Sequence, residues 1–500
     1  MKLIGFKNFR KFEDFPPIDL GPITIFVGEN NAGKSTVVKA LLSVLDFVKT
    51  SAFDTTGEAV TNIRFFFNKS YFSHIGTFKR AIYNKAPEGS AIVFVFAFGH
   101  YYFEISVKGA IDDEESISGQ VSSIKLTLID FNIDLNYVFE SGLNRLNVVF
   151  HSKPNSLKKK PYSKEDQKVV DGYFSDFDSD VEMEMPITGS GMLGGNILEM
   201  LLWGFRQKLE RTVDYYSATN KPQNPKYSED IVQGISSEME AILISKKRYF
   251  NSKFFQQCLH GISYFDAPRV EYIYAHAVTQ TVIYSAKDIN DYYVKTIHEF
   301  ANQAVEPDTP VYEFIVKWMK EFGIGARYEL MSIGGEAHIV KIVNFDGESV
   351  NLADKGMGSI QLMILLFRLA TLMSQARIGM GRLQAKALII VEEPEQNLHP
   401  MLQSKLAELF FSMNQDYGFR FIIETHSEYL IRRTQALVGS SYREKKDFEN
   451  PFKVYYFPAN GTPYDMPYAK TGRFEEQFGS GFFDEATKWN REVLRNENAK

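Results

Sequence analysis

Gly28-Glu29-Asn30-Asn31-Ala32-Gly33-Lys34-Ser35 places two glycines, a lysine and a hydroxyl at the spacing G-x-x-x-x-G-K-[ST]. Glycines at both ends permit backbone angles that turn successive N–H groups inward. A helix starting where the loop ends aims its positive N-terminus at the same point. This is chemistry for cradling a phosphate chain. At this spacing Lys34 reaches the β- and γ-phosphates and the Ser35 hydroxyl completes a Mg²⁺ shell, with Asn30, Asn31 and Thr36 in the same cradle. The expected cofactors are ATP and Mg²⁺.

Fast hydrolysis needs more groups, and they follow downstream. Ala387-Leu388-Ile389-Ile390-Val391 reads as a buried strand ending in Glu392-Glu393-Pro394-Glu395, where α/β sheets place ligands. Glu392 is expected to bind Mg²⁺, directly or through water, and Glu393 to orient or activate the attacking water. A second apolar strand, Phe419-Arg420-Phe421-Ile422-Ile423, ends in Glu424-Thr425-His426-Ser427. His426 is placed to hydrogen-bond the γ-phosphate or the water. Gly356, Gly358 and Ser359 open a further helix and form a second anion-binding N-terminus. One nucleotide in one chain cannot readily use both.

The elements that must position these groups are legible as patterns. Ile23-Thr24-Ile25-Phe26-Val27 reads as a buried strand before the loop, and Val37, Val38, Ala40, Leu41 and Leu42 fall at helical spacing after it. Residues 1–20 read as two strands joined by a turn, with more strands at 91–108, 121–130, 327–332 and 337–345. Helical spacing runs through 288–304 and 312–319, through Leu362, Leu365, Leu366 and Leu369, and through Leu402, Leu406, Leu409 and Phe410. Phe452–Phe457 reads as a closing strand and Phe478–Glu485 as a closing helix. Between them lies a stretch of different composition. Residues 150–190 are rich in Lys, Pro, Ser and Asp; Lys158-Lys159-Lys160-Pro161 reads as an exposed loop, Gly189–Gly195 as a hinge, and 197–205 and 228–243 as helices. Asp112-Asp113-Glu114-Glu115 reads as a solvated turn.

The chain has 500 residues, 44% of them hydrophobic, enough for several cores. Its formal net charge of −6 rules out nucleic-acid binding driven by overall charge, so such contact would come from local stretches like Arg432-Arg433 and Arg443-Glu444-Lys445-Lys446. Cys258 is the sole cysteine, which excludes an intramolecular disulfide and a cysteine-rich zinc site. Met1–Phe6 runs straight into charged residues, and the apolar run Ala91–Phe98 is strand length. The expectation is therefore a cytoplasmic protein without a membrane span.

The ordered set of phosphate loop, long insertion, glycine-rich helix start, Leu388-Ile389-Ile390-Val391-Glu392-Glu393, Asn397-Leu398-His399-Pro400 and Glu424-Thr425-His426-Ser427 resembles the ABC-type ATPases of the OLD and SMC-like group. The resemblance covers about 1–130 and 260–460 but not the insertion. Within that group the chain looks most like the standalone ATPases of bacterial anti-phage systems, such as the ATPase components of Septu and PARIS. The resemblance implies an α/β fold: an ABC-type P-loop ATPase head with mixed sheet and helices, carrying a mainly helical insertion. The expected organisation is residues 1–149 as the N-terminal half of the head, 150–260 as the insertion, 261–460 as the C-terminal half and 461–500 as an extension. Gly356 to Gln361 would correspond to the signature segment and Asn397 to Pro400 to the D-loop. No glutamine near Phe72–Phe78 supplies the glutamine loop. Two heads would meet head to tail, the signature helix of one capping the γ-phosphate held by the other, which gives both anion sites a use.

The function implied is a sensor ATPase that forms ATP-dependent homo-oligomers and controls a separately encoded effector, a nuclease. OLD-type relatives carry a nuclease domain after the ATPase, and the stretch after His426 reads as too short for one. The alternative is DNA maintenance of the SMC type, which requires a long coiled coil that the glycine- and proline-broken insertion does not encode. A transporter ATPase ranks last.

Overall fold

The computed structural model describes residues 2–50, 64–67, 75–98, 101–109, 116–128, 133–140, 143–150, 181–186, 269–273, 283–285, 291–375, 377–379, 382–384, 387–445 and 447–498. The Asp112–Glu115 turn, the Lys158–Pro161 loop, the Gly189–Gly195 hinge, the helices at 197–205 and 228–243, and Cys258 lie outside these residues. The chain forms two compact units, one of residues 1–19 and 39–267, the other of residues 20–38 and 268–500.

The first unit is built on an antiparallel sheet. Its strands are β1 (Leu3–Phe9) and β2 (Phe12–Asp19), β4 (Arg64–Phe66), β5 (Ile92–Phe98), β6 (Tyr101–Lys108), β7 (Ser118–Leu128), β8 (Ile133–Glu140), β9 (Leu143–Phe150) and β10 (Val181–Pro186). They run in the order β10-β9-β8-β7-β6-β5-β1-β2, and β4 pairs with β7. The expected hairpin of the first residues is present, turning at Arg10, where Asn8 and Arg10 adopt left-handed φ of 51° and 52°. Aromatic rings fill its core: Phe6 stacks on Phe15 at 4.6 Å and Phe65 on Phe94 at 5.0 Å. Within the segment expected as a helical insertion, the described residues Val181–Pro186 are a strand, because Val181, Met183 and Met185 alternate with Glu182 and Glu184 and pair along β9.

The second unit is centred on a six-stranded sheet. In chain order it contains β3 (Ile23–Gly28), β11 (Arg269–Ile273), β18 (Ala387–Glu392), β19 (Arg420–Thr425), β20 (Phe452–Phe457) and β21 (Tyr464–Asp465). The order is β11-β18-β19-β3-β20-β21, parallel throughout except for β21. Its inner strands are continuous apolar runs, as a sheet buried on both faces requires. Since β3 lies between β19 and β20, residues 20–38 belong to the same unit as the C-terminal portion of the chain.

The helices of this unit are the start of α1 (Lys34–Thr50), then α3 (Tyr292–Ala301), α4 (Pro310–Glu321), α5 (Met357–Ser374), α6 (Pro400–Tyr417), α7 (Glu428–Glu444) and α8 (Glu485–Asn498); α2 (Phe78–Ala81) is a single turn in the first unit. Strands β13 (Arg327–Ile333) and β14 (Ala337–Val343) form the hairpin expected around Gly334-Gly335, both of which have positive φ; β12 (Tyr284–Ser285) and β15 (Ser349–Asn351) pair with β14, and β16 (Arg377–Gly379) pairs with β17 (Arg382–Gln384). Gly323 ends the segment after α4 at φ +66°. Helix α5 is apolar and long enough to cross a membrane, but 78% of it is buried here, as befits a core helix. It packs its Ile360, Leu366 and Phe367 into the same core as Ile25, Ile389 and Ile423.

One expectation needs correcting. Phe478–Glu485 is not a helix, which begins only at Glu485. Gly481 takes a left-handed φ of 92°, and Phe478 and Phe482 pack on the Tyr456 ring, so side-chain burial overrides helical spacing in this segment.

Candidate active site

The phosphate loop begins where β3 must turn sharply. Gly28 has φ +143°, and a Cβ there would lie 2.1 Å from the Phe457 carbonyl oxygen on β20, so only glycine fits. Gly33 has φ +108° and Asn31 φ +58°. The loop is anchored to β20 as well: Glu29 N–H donates to Phe457 O at 3.0 Å, and the Glu29 carboxylate accepts from Ala459 N–H at 3.2 Å. Lys34 lies across the loop, with its ammonium donating to Gly28 O at 3.1 Å and Glu29 O at 2.8 Å. It is only 3% exposed, and burial holds its pKa below the usual lysine value against the pull of Glu424, Glu393 and Glu395. An ammonium has three donors, and two are used here, leaving one for a phosphate oxygen.

The parallel register brings the acids to the same edge. Glu392, last residue of β18, lies beside Glu424 of β19, and the next β19 residue, Thr425, lies beside Val27 of β3. Ser35 Oγ donates to Glu424 Oε1 at 2.7 Å. Burial first, and Glu392 second, push the Glu424 carboxyl up to about 7, against the opposing effects of Ser35 and Lys34. Glu393 leaves the strand at a left-handed φ of 45°, with its N–H bonded to Glu424 O at 2.7 Å. A non-glycine residue at such an angle stores strain, which is common at functional sites. Its carboxylate is held from one side by the Gln396 amide, which donates to Oε2.

His426 Nε2 lies 3.8 Å from the other oxygen, Oε1. Burial lowers the His426 pKa, with Lys34 acting in the same direction and Glu393 opposing, so the imidazole is neutral at pH 7 and the approach is not an ion pair. Glu395 supports this loop. It is 8% exposed, and its Oε1 accepts the His426 backbone N–H at 2.6 Å. Burial pushes its carboxyl upward.

The glycine-rich start of α5 reaches the same carboxylate turn within the chain. A Cβ on Gly358 would lie 2.6 Å from Asn397 O, and the Gln361 amide group donates to Pro394 O and accepts from Asn397, both at 3.5 Å. Gly356 caps the helix at φ −61°, and a Cβ there would meet nothing within 4 Å. Ser359 N–H bonds Gly356 O at 2.9 Å.

The structure thus gathers Gly28, Gly33, Lys34, Ser35, Glu392, Glu393 and His426 at one edge of a single sheet. It places Gly358 against the D-loop residues Asn397 and Leu398. Glu424, Glu395 and Gln396 hold the site together without belonging to a role that the sequence pattern marks. The available signal for Glu424 was its position one strand over from Glu392, immediately before Thr425-His426.

Strand, phosphate loop and helix, with acids at the carboxyl edge of a parallel sheet, define an α/β P-loop ATPase domain. The chain belongs to the AAA ATPase domain family, whose model matches residues 1–431. No curated protein matches it. Among solved structures, the chain is similar to an Smc head domain with an extended coiled coil bound to the C-terminal domain of ScpA from Pyrococcus furiosus. That match has 11% identity and TM-score 0.34 and covers 99% of each chain. It is similar also to an Smc head bound to the C-winged helix domain of ScpA, at 10% identity and TM-score 0.34, covering 93% of this chain and 96% of that one. The SMC head domain from Thermotoga maritima gives 10% identity and TM-score 0.33, with 94% and 100% covered. At such scores these likenesses say nothing about partners or mechanism.

The residues fit the cofactors an ATPase domain uses. Among the described residues no three His, Cys, Asp or Glu side chains are grouped to hold a metal on their own. Mg²⁺ bound with a nucleotide needs fewer, since it takes one or two protein oxygens and completes its shell from phosphates and water. Ser35 and Glu392 supply hard oxygen donors, and among the described residues the buried Glu424 Oε2 has no hydrogen-bond partner.

Proposed function

We propose that this protein is a nucleotide-driven switch of a bacterial anti-phage system: its heads pair around ATP, hydrolyse it and thereby control a separately encoded nuclease effector. The observation that carries the ATPase part is the meeting of Lys34, Ser35, Glu393 and His426 at one sheet edge. The motif set Glu392–Pro400 with Glu424–Leu430 supports the defence assignment through its resemblance to standalone defence ATPases.

Gly28 to Thr36, with Asn30 and Asn31, wrap the phosphates with backbone N–H groups, and Lys34 gives a charged hydrogen bond to the β- and γ-phosphates. Ser35 and Glu392 would hold Mg²⁺, which when bound would neutralise charge on the phosphate oxygens. Glu393, fixed by Gln396, takes a proton from the attacking water as its oxygen bonds the γ-phosphorus and the bond to ADP breaks. His426, neutral and beside Glu393, hydrogen-bonds the γ-phosphate or that water. Gly356, Gly358 and Ser359 of one head close on the γ-phosphate of the other, so loss of that phosphate loosens the pair.

Phosphate-release kinetics and ATP binding on purified variants test the assignment. Lys34→Ala should abolish ATP binding. Glu393→Gln should bind ATP and hydrolyse it at least ~100-fold more slowly, the share a general base contributes. Hydrolysis by Glu393→Gln at the parent rate would remove Glu393 from its role. Co-expression with the neighbouring gene should yield a stable complex with a nuclease; a chain that stays alone and binds DNA tightly would instead favour the DNA-maintenance reading.

A further inference from the structure

Glu424 is a buried acid for which the mechanism above has no use. It is 4% exposed and ends β19 directly beside Glu392. One oxygen accepts a hydrogen bond from the Ser35 hydroxyl at 2.7 Å, and the other is buried without a hydrogen-bond partner among the described residues. A clip between α1 and β19 would require only a neutral acceptor. A carboxylate is an expensive choice for that task, because burying an anion beside a second acid is unfavourable unless cations join them, and the nearby Lys34 ammonium is already bonded to Gly28 O and Glu29 O.

A hydroxyl that gives its proton to a carboxylate turns its lone pairs away from it and becomes a better metal ligand. Outer-shell acceptors of this kind orient first-shell ligands and raise their basicity. We propose that Glu424 is a positioning residue of the Mg²⁺ site: it holds Ser35 Oγ with its lone pairs turned toward the metal and, as a carboxylate acceptor, raises the basicity of that oxygen. This rests on the ATPase reading. It assigns Glu424 the linkage between metal and nucleotide, and Glu393 the chemistry.

The test is ATP affinity by titration calorimetry, in Mg²⁺ and in EDTA, for the parent, Glu424→Gln, Ser35→Ala and the double variant. The readout is the ratio of the two affinities, which a purely structural defect moves little because it weakens both conditions alike. Glu424→Gln should lower the ratio about tenfold or more, the usual loss for an outer-shell partner. The double variant should lose no more than Ser35→Ala alone, since both changes break one unit. Glu424→Asp, which keeps the charge but falls a methylene short of Ser35, should lower the ratio as well. A parent-like ratio in Glu424→Gln and Glu424→Asp overturns the proposal, as do losses that multiply in the double variant. A parent chain that binds no ATP in either solution overturns the ATPase reading and this inference with it. A parent that binds ATP more tightly in Mg²⁺, with variants that follow it, overturns this inference alone.

Discussion

At the scale of single residues the site holds buried acids against their solvation. Glu424 is the clearest case: its carboxyl is pushed up to about 7, first by burial and then by Glu392. A folded-state value above the unfolded one means that the native protein keeps a proton the unfolded chain has released. Stability is therefore present in full below the unfolded value near 4.5 and is lost as pH rises from there through about 7. Glu424→Gln should then raise the thermal midpoint of the nucleotide-free protein at pH 8, by on the order of 1–3 kcal/mol of unfolding free energy, and change it little at pH 5. Calorimetric melts at the two pH values check this; equal gains at both would show that ionisation of Glu424 is not the cause. Residues of this kind are hard to find in a sequence. Lys34 and Ser35 are marked by a fixed local spacing, whereas Glu424 acquires its role from the pairing of β18 with β19, which no local pattern displays.

At the scale of elements, α5 and the turn after β18 are packed backbone to backbone. Gly358 makes this possible, since a Cβ there would lie 2.6 Å from Asn397 O and 2.9 Å from a Leu398 methyl. Gly358→Ala should cost about 1–3 kcal/mol, the usual penalty of overpacking. Gly356→Ala, two residues earlier with nothing within 4 Å of the added carbon, should be near neutral. Urea unfolding of both variants measures the contrast, and equal costs would contradict the close packing. The strands of the second unit were legible because both faces are buried and the sequence is apolar without interruption, as in Leu388–Val391. The segment Phe478–Phe483 was not, because its aromatics serve the Tyr456 cluster and not a helix face. The place of β3 between β19 and β20 was also hidden, since parallel neighbours arrive from distant parts of the chain.

At the scale of the whole molecule, one chain carries two glycine-rich helix starts, and the proposed switch uses both only if two heads meet. In that proposal the phosphate loop would bind ATP, the start of α5 would complete the site of a second copy, and hydrolysis would release the pair. Gln361, bonded to Pro394 O and to Asn397, ties that helix start to the turn that carries Glu393. A partner head pressing on α5 would thereby act on the catalytic acid of the chain it touches. The most direct measurement of this claim is the mass of purified Glu393→Gln by light scattering, with and without ATP and Mg²⁺. ATP with Mg²⁺ should double the number of heads in the particle, and Lys34→Ala introduced into the same protein should abolish the change. A Glu393→Gln protein that binds ATP but keeps one mass in both solutions would contradict it.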